Sequence, residues 1–284
     1  QILLLVKDKI KHSFTNADIF DFFKNDKQIL LFLLEEKILV QDENINKYLL
    51  AKWLRNNTHL RHFFITELQS TVNQKVVEEE EDYDDDFDGF YDYEDDDLLK
   101  ISEEQSINYD EKRHIGENDT KICELIRKDL IEEFTSFVTE NKVQISSEIN
   151  HSIFETNPLL IDNKPTLIQY AAFFGSKRIF IYLLENGAKY DQSIWIYAIH
   201  GRNLELIRLL EENKIEPEDK SFEKCLEESI KCHHNEIVDY IQNNLLDKKI
   251  DSSNLENDFD CNSIQYAFQY QNYQLITIES LNSK

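Results

Sequence analysis

The chain has 284 residues, enough for one large domain or two ordinary ones. Its 31 Lys and Arg stand against 56 Asp and Glu, a net charge of −25 with histidine neutral, and such a field disfavours nucleic acid and anionic lipid as partners and favours a basic protein surface. Only 5 Gly and 3 Pro occur, too few for a turn-dense all-β chain, and 4 cysteines without regular spacing exclude a disulfide framework, so a reducing cytoplasm is the expected compartment.

The first apolar runs are Ile2–Val6 and Ile29–Leu34. Both fall far short of the ~20 residues of a bilayer span, so no membrane insertion is expected. Ile2–Val6 has neither a basic leader nor a small-residue cleavage site and does not read as a signal peptide. Met is absent, at position 1 too, which suggests a chain numbered from beyond its native start. Residues 1–77 read as an N-terminal helical unit with a degenerate helix pair, in which Gln28–Glu36 matches the second-helix pattern of the repeats described below. Trp53 and the run His59–Phe64 are expected in helical core, with a docking surface as the alternative.

The composition then breaks sharply. Between Glu78 and Asp97 stand fourteen acidic residues, five aromatic ones and Gly89, with no aliphatic side chain. Charge repels at this density and nothing can form a core, so an acidic disordered linker is expected over 78–116. Asp84, Asp86, Asp88 and Gly89 take positions 1, 3, 5 and 6 of a calcium loop, with Asp92 and Asp95 at 9 and 12. Position 12 lacks the bidentate Glu, and fourteen acids in this space produce such spacing by chance. A solvated linker is therefore expected at Asp84, Asp86, Asp88 and Asp95, and no cofactor or metal.

From residue 117 the pattern repeats. Glu140-Asn141-Lys142-Val143, Glu185-Asn186-Gly187-Ala188 and Glu212-Asn213-Lys214-Ile215 each close an amphipathic helix, and Glu236–Ile241 and Gln274–Ile278 are further copies. Most follow a shorter helix, as at Tyr170–Gly175, Tyr197–Gly201 and Tyr266–Phe268. A helix pair cannot bury its apolar face alone, whereas stacked pairs bury a continuous core. The expected fold is all-α, an α-solenoid of stacked helix pairs over 117–284.

Thr166-Leu167-Ile168-Gln169-Tyr170-Ala171-Ala172, Gly175 and Leu183–Ala188 resemble an ankyrin repeat, whose consensus runs Thr-Pro-Leu-His-x-Ala. Here Leu167 replaces the Pro and Gln169 the His. With Lys121–Arg127, Ser193–His200 and Ser229–Asn235, the wording resembles expanded protist ankyrin proteins carrying a domain of unknown function built of degenerate, shortened repeats. Aligned on Ile179, Leu206, Ile237 and Leu275, the last four second helices are 27, 31 and 38 residues apart, against about 33 in the consensus. The shortest spacing leaves little room for a hairpin between Tyr190 and Ser193. The resemblance implies a protein-interaction scaffold without naming its partner.

Cys225, Cys232, His233 and His234 invite a zinc reading, but no C-x₂-C pair is present, so packing and a polar turn are expected there. His200 falls where the ankyrin pattern carries an exposed residue, and no phosphate loop or nucleophile elbow occurs, so no enzyme is expected. The expected function is protein binding through the groove lined by the first helices, with Phe173, Phe174, His200, Lys231, Gln269 and Tyr270 as its contact residues. The alternatives are a structural component of a cytoskeletal or ciliary assembly and an acidic binder of basic proteins.

Overall fold

The computed structural model describes residues 7–50, 62–68, 108–246 and 256–275. The regular structure of these residues is helical; no strand is present among them, and Glu148 and Thr166 form an isolated antiparallel bridge. In chain order the helices are α1 (Lys7–Ser13), α2 (Asn16–Phe23), α3 (Lys27–Glu35), α4 (Glu43–Leu50), α5 (Tyr109–Ile115), α6 (Lys121–Arg127) and α7 (Ile131–Glu140). They continue as α8 (Pro158–Asn163), α9 (Leu167–Phe173), α10 (Lys177–Glu185), α11 (Ile194–His200) and α12 (Leu204–Glu212). The last are α13 (Glu223–Lys231), α14 (Asn235–Tyr240) with a π-helical turn at Ile241–Leu246, and α15 (Glu256–Gln269) with a 3₁₀ turn at Tyr273–Leu275. The chain forms two compact units, one within residues 1–119 and 151–163, the other within 120–150 and 164–284.

In the first unit, Thr15 and Asp18 cap each other's backbone amides at the start of α2, and Asp26 caps α3 through the Ile29 amide, 2.8 Å away. The apolar run of α3 buries Leu30, Leu31 and Leu33 against Ile19, Phe20, Phe63, Phe64 and Leu68. Phe63 and Phe64 are therefore core. Helix α5 corrects the expectation that the linker runs on to Gly116. Tyr109 packs edge-to-face on Phe154, and one turn later the Arg113 guanidinium, 4% exposed, meets the Glu67 carboxylate at 2.7 Å. Two buried residues in a short polar segment are enough to hold a helix, and they leave no periodic signature. The acidic stretch Glu78–Asp97 and Trp53 lie outside the described residues.

Within the second unit α6 packs on α7, α9 on α10, α11 on α12, α13 on α14, and α15 on the 3₁₀ turn. Helices α6, α9, α11, α13 and α15 also contact one another in that order. Ala171, Ala172 and Ala198 allow this close approach and are fully buried. Gly201 is the tightest point: a Cβ there would stand 2.4 Å from the Ala172 carbonyl oxygen.

Helix ends repeat one device. Lys37, Asp129, Lys142, Gly175, Gly187, Arg202, Lys214, His233 and Gln271 all take left-handed backbone, with φ from 49° to 77°. At most of them the following amide turns back to the carbonyl five residues earlier, as Val143 to Val138 (3.0 Å), Ser176 to Ala171 (2.9 Å) and Ile215 to Leu210 (3.0 Å).

A second device joins neighbouring pairs. Ser176, at the N-cap of α10, donates to the Ile126 carbonyl at 2.6 Å, and Asn203, at the N-cap of α12, donates to that of Gly175 at 3.1 Å. Asn272, just before the 3₁₀ turn, donates to that of Ile230 at 3.0 Å. At these three places the second element starts from a side chain fastened to the preceding helices.

Candidate functional site

The residues at the C-terminal ends of the first helices fall into register. Arg127, Phe173, His200, Lys231 and Gln269 are the last residues of α6, α9, α11, α13 and α15. Phe174 and Cys232 are C-caps, and Tyr270 directly follows α15. The repeated left-handed turn after each helix sets this register, because it fixes where every first helix stops.

Neighbouring positions touch along this row. The Arg127 guanidinium lies over the Phe174 ring and donates to the Tyr170 hydroxyl at 2.9 Å. Phe174 packs on both Tyr170 and Phe173, and Phe173 stacks on His200 with ring centres 5.4 Å apart and planes 21° apart. Beyond His200, Glu228 holds the Lys231 ammonium at 3.2 Å, and Glu227 accepts from the Tyr270 hydroxyl. That bond to a carboxylate pushes the Tyr270 hydroxyl up to about 12.

Phe173 and Phe174 are both half-buried, ring against ring. Lys231 and Gln269 are exposed, and Tyr270 is half-buried. His200 departs from the expected exposed position: its side chain is 19% exposed, held between Phe173 and Glu228. The cause is the close α11–α13 packing, which brings residues 28 apart in sequence into contact.

Cys225, Cys232, His233 and His234 do not gather as a set. Cys225 is buried in the core, His233 is exposed in a left-handed turn, and His234 is half-buried at the N-cap of α14. Cys232 instead meets His200 and Glu228. The His200 Nε2 lies 2.8 Å from Glu228 Oε1, and the Cys232 Sγ lies 3.6 Å from that nitrogen and 3.9 Å from that oxygen. The ligand atoms of the three residues all lie within 4.8 Å of one another. Sequence reasoning missed this trio because its members sit on two helices. The available signal was Glu228 and Cys232 four apart on one helical face, with His200 ending the preceding first helix.

The trio lacks the layout of a thiol nucleophile and its base. The Cys232 Sγ lies 3.6 Å from Nε2, which Glu228 already holds, and 3.8 Å from Nδ1, so it is lined up with neither nitrogen as a nucleophile on its base would be. Burial, with the Glu228 charge adding to it, pushes the Cys232 thiol up to about 12, away from the thiolate. Burial also pushes the Glu228 carboxyl up, but its hydrogen bond with His200 and the Lys231 charge outweigh this and hold it below the ordinary value. Among the described residues no helix is long and apolar enough to cross a membrane. Comparison with protein-family models, curated proteins and solved structures gives no match to this chain.

Proposed function

We propose that the second unit is an ankyrin-like solenoid of the degenerate, shortened kind, and that it works as a non-catalytic scaffold holding another protein along the row of first-helix ends. The observation that supports this best is the register of Arg127, Phe173, His200, Lys231 and Gln269. A stacked fold places equivalent residues of successive pairs side by side, which makes a long surface from a short motif. Half-buried aromatics anchored on one side and open on the other are good interface anchors, because little side-chain freedom remains to be lost on binding. The carboxylates of Glu227 and Glu228 beside them, and the net charge of −25, favour a basic partner.

The test is affinity capture from the native cell with the wild-type chain and with Phe173→Ser and Gln269→Arg variants. The reading expects a discrete partner that both variants lose while their melting temperatures stay within a few degrees of wild type. A partner retained by both variants would place the binding surface elsewhere. Raising the salt concentration should weaken capture if charge leads the encounter.

A further inference from the structure

We propose that His200, Glu228 and Cys232 form a binding site for one zinc-like divalent cation, with a fourth position left to water. The three ligand atoms already stand 2.8, 3.6 and 3.9 Å apart. Around a tetrahedral zinc with bonds of about 2.0–2.3 Å, neighbouring ligand atoms stand roughly 3.4–3.6 Å apart. The nitrogen–sulfur separation fits, but Sγ also lies 3.8 Å from Nδ1, off the lone-pair direction of Nε2, so admitting the ion needs the thiol to turn toward Nε2 and the carboxylate to swing by about half an ångström.

Backbone order supplies the preorganisation. Glu228 and Cys232 lie one turn apart on α13 and its C-cap, while His200 is brought to them by α11. Phe173 stacks on the imidazole and fixes its plane. One nitrogen, one oxygen and one sulfur make a borderline-soft set, which suits zinc and not calcium or magnesium, whose sites are built of oxygen. A simple His200–Glu228 hydrogen bond explains two of these groups but not the half-buried thiol beside them. On binding, the ion replaces the proton shared by His200 and Glu228, and the Cys232 proton leaves to solvent. Lys231 works against the ion: its ammonium lies 3.2 Å from both Glu228 oxygens. Removing that charge should tighten the site.

Anaerobic titration of the full chain with Co²⁺ reads the site directly, because thiolate-to-cobalt charge transfer absorbs in the near ultraviolet and oxygen coordination by the acidic stretch does not. The expected result is one equivalent with this band, displaced by Zn²⁺. Cys232→Ser should abolish the band, His200→Gln should weaken binding at least tenfold, and Cys225→Ser should leave both unchanged. Lys231→Gln should bind several-fold more tightly, a readout that stands even if Cys232→Ser does not fold. A wild-type chain without the band, a band that survives Cys232→Ser or needs Cys225, or a Lys231→Gln affinity equal to wild type would each overturn the proposal.

Discussion

Gly201 is the residue on which the packing of α9 against α11 depends. Its backbone angle is ordinary, so the requirement is spatial: a methyl group would press on the Ala172 and Phe173 carbonyl oxygens, 2.4 and 2.9 Å away. Gly187 is the reverse case, with left-handed backbone but nothing within 4 Å of an added Cβ. Gly201→Ala should therefore cost about 1–3 kcal/mol through forced separation of the helices, and Gly187→Ala only the conformational term of about 1–2 kcal/mol. Urea unfolding followed by the fluorescence of buried Trp195 compares them, and the Gly201 variant should also perturb the amides of α9. In the first unit, Lys27 is the residue to titrate. Burial lowers its ammonium to about 8, against a smaller opposing effect of Glu155. Between pH 8 and about 10.4 the unfolded chain then holds the extra proton, so stability rises with pH across that window and is lost as pH falls back through it, with no further change below 8. The full effect is about 3 kcal/mol. Above pH 10 Tyr109, whose hydroxyl burial pushes up, acts in the opposite direction. Lys27→Met should flatten the rise between pH 8 and 10 in denaturant titrations, and NMR should show Lys27 titrating well below the exposed lysines.

At the scale of elements, the helix ends show why the pattern is hard to read. Eleven described helices are followed within two residues by a left-handed position, of which Gly116, Gly175 and Gly187 are glycine, and Lys, Arg, Asp, His or Gln fill the others. An L-residue there costs about 1–2 kcal/mol, of which glycine's greater freedom in the unfolded chain would cancel about 0.4–1. Lys214→Gly should thus stabilise the second unit by roughly 0.5–1 kcal/mol, measured as a shift of its urea midpoint at unchanged slope. The amphipathic second helices α7, α10 and α12 were legible in the sequence, because Phe134, Ile179, Phe180, Leu206 and Ile207 are spaced for one buried face and are all fully buried. Helix α5 and residues 151–163 were not legible, since their place in the first unit rests on single buried groups such as Tyr109, Arg113, Phe154 and Glu155. The row of helix ends was partly legible: Phe173, His200 and Lys231, named from the sequence, are each the last residue of a helix. The pairing of His200 with Cys232 depends on how α11 meets α13, which no local pattern encodes.

In the molecule as a whole, the first unit owes its cohesion to contacts distant in sequence, such as Lys27 Nζ donating to the Glu155 carbonyl at 2.9 Å. The second unit closes its contacts between consecutive pairs. Ser176, Asn203 and Asn272 each donate to a main-chain carbonyl of the helices before. A main-chain carbonyl is present whatever the side chain, so these joints survive wide sequence drift. Mechanically, they are clasps loaded one after another. Drawn out from its C-terminal end in an optical trap, the second unit should yield in steps, not in a single rupture. Spacings of 27 and 31 residues correspond to roughly 90–110 Å of extended chain per step. Asn203→Ala should lower the force at which the α11–α12 pair lets go and leave the step lengths unchanged.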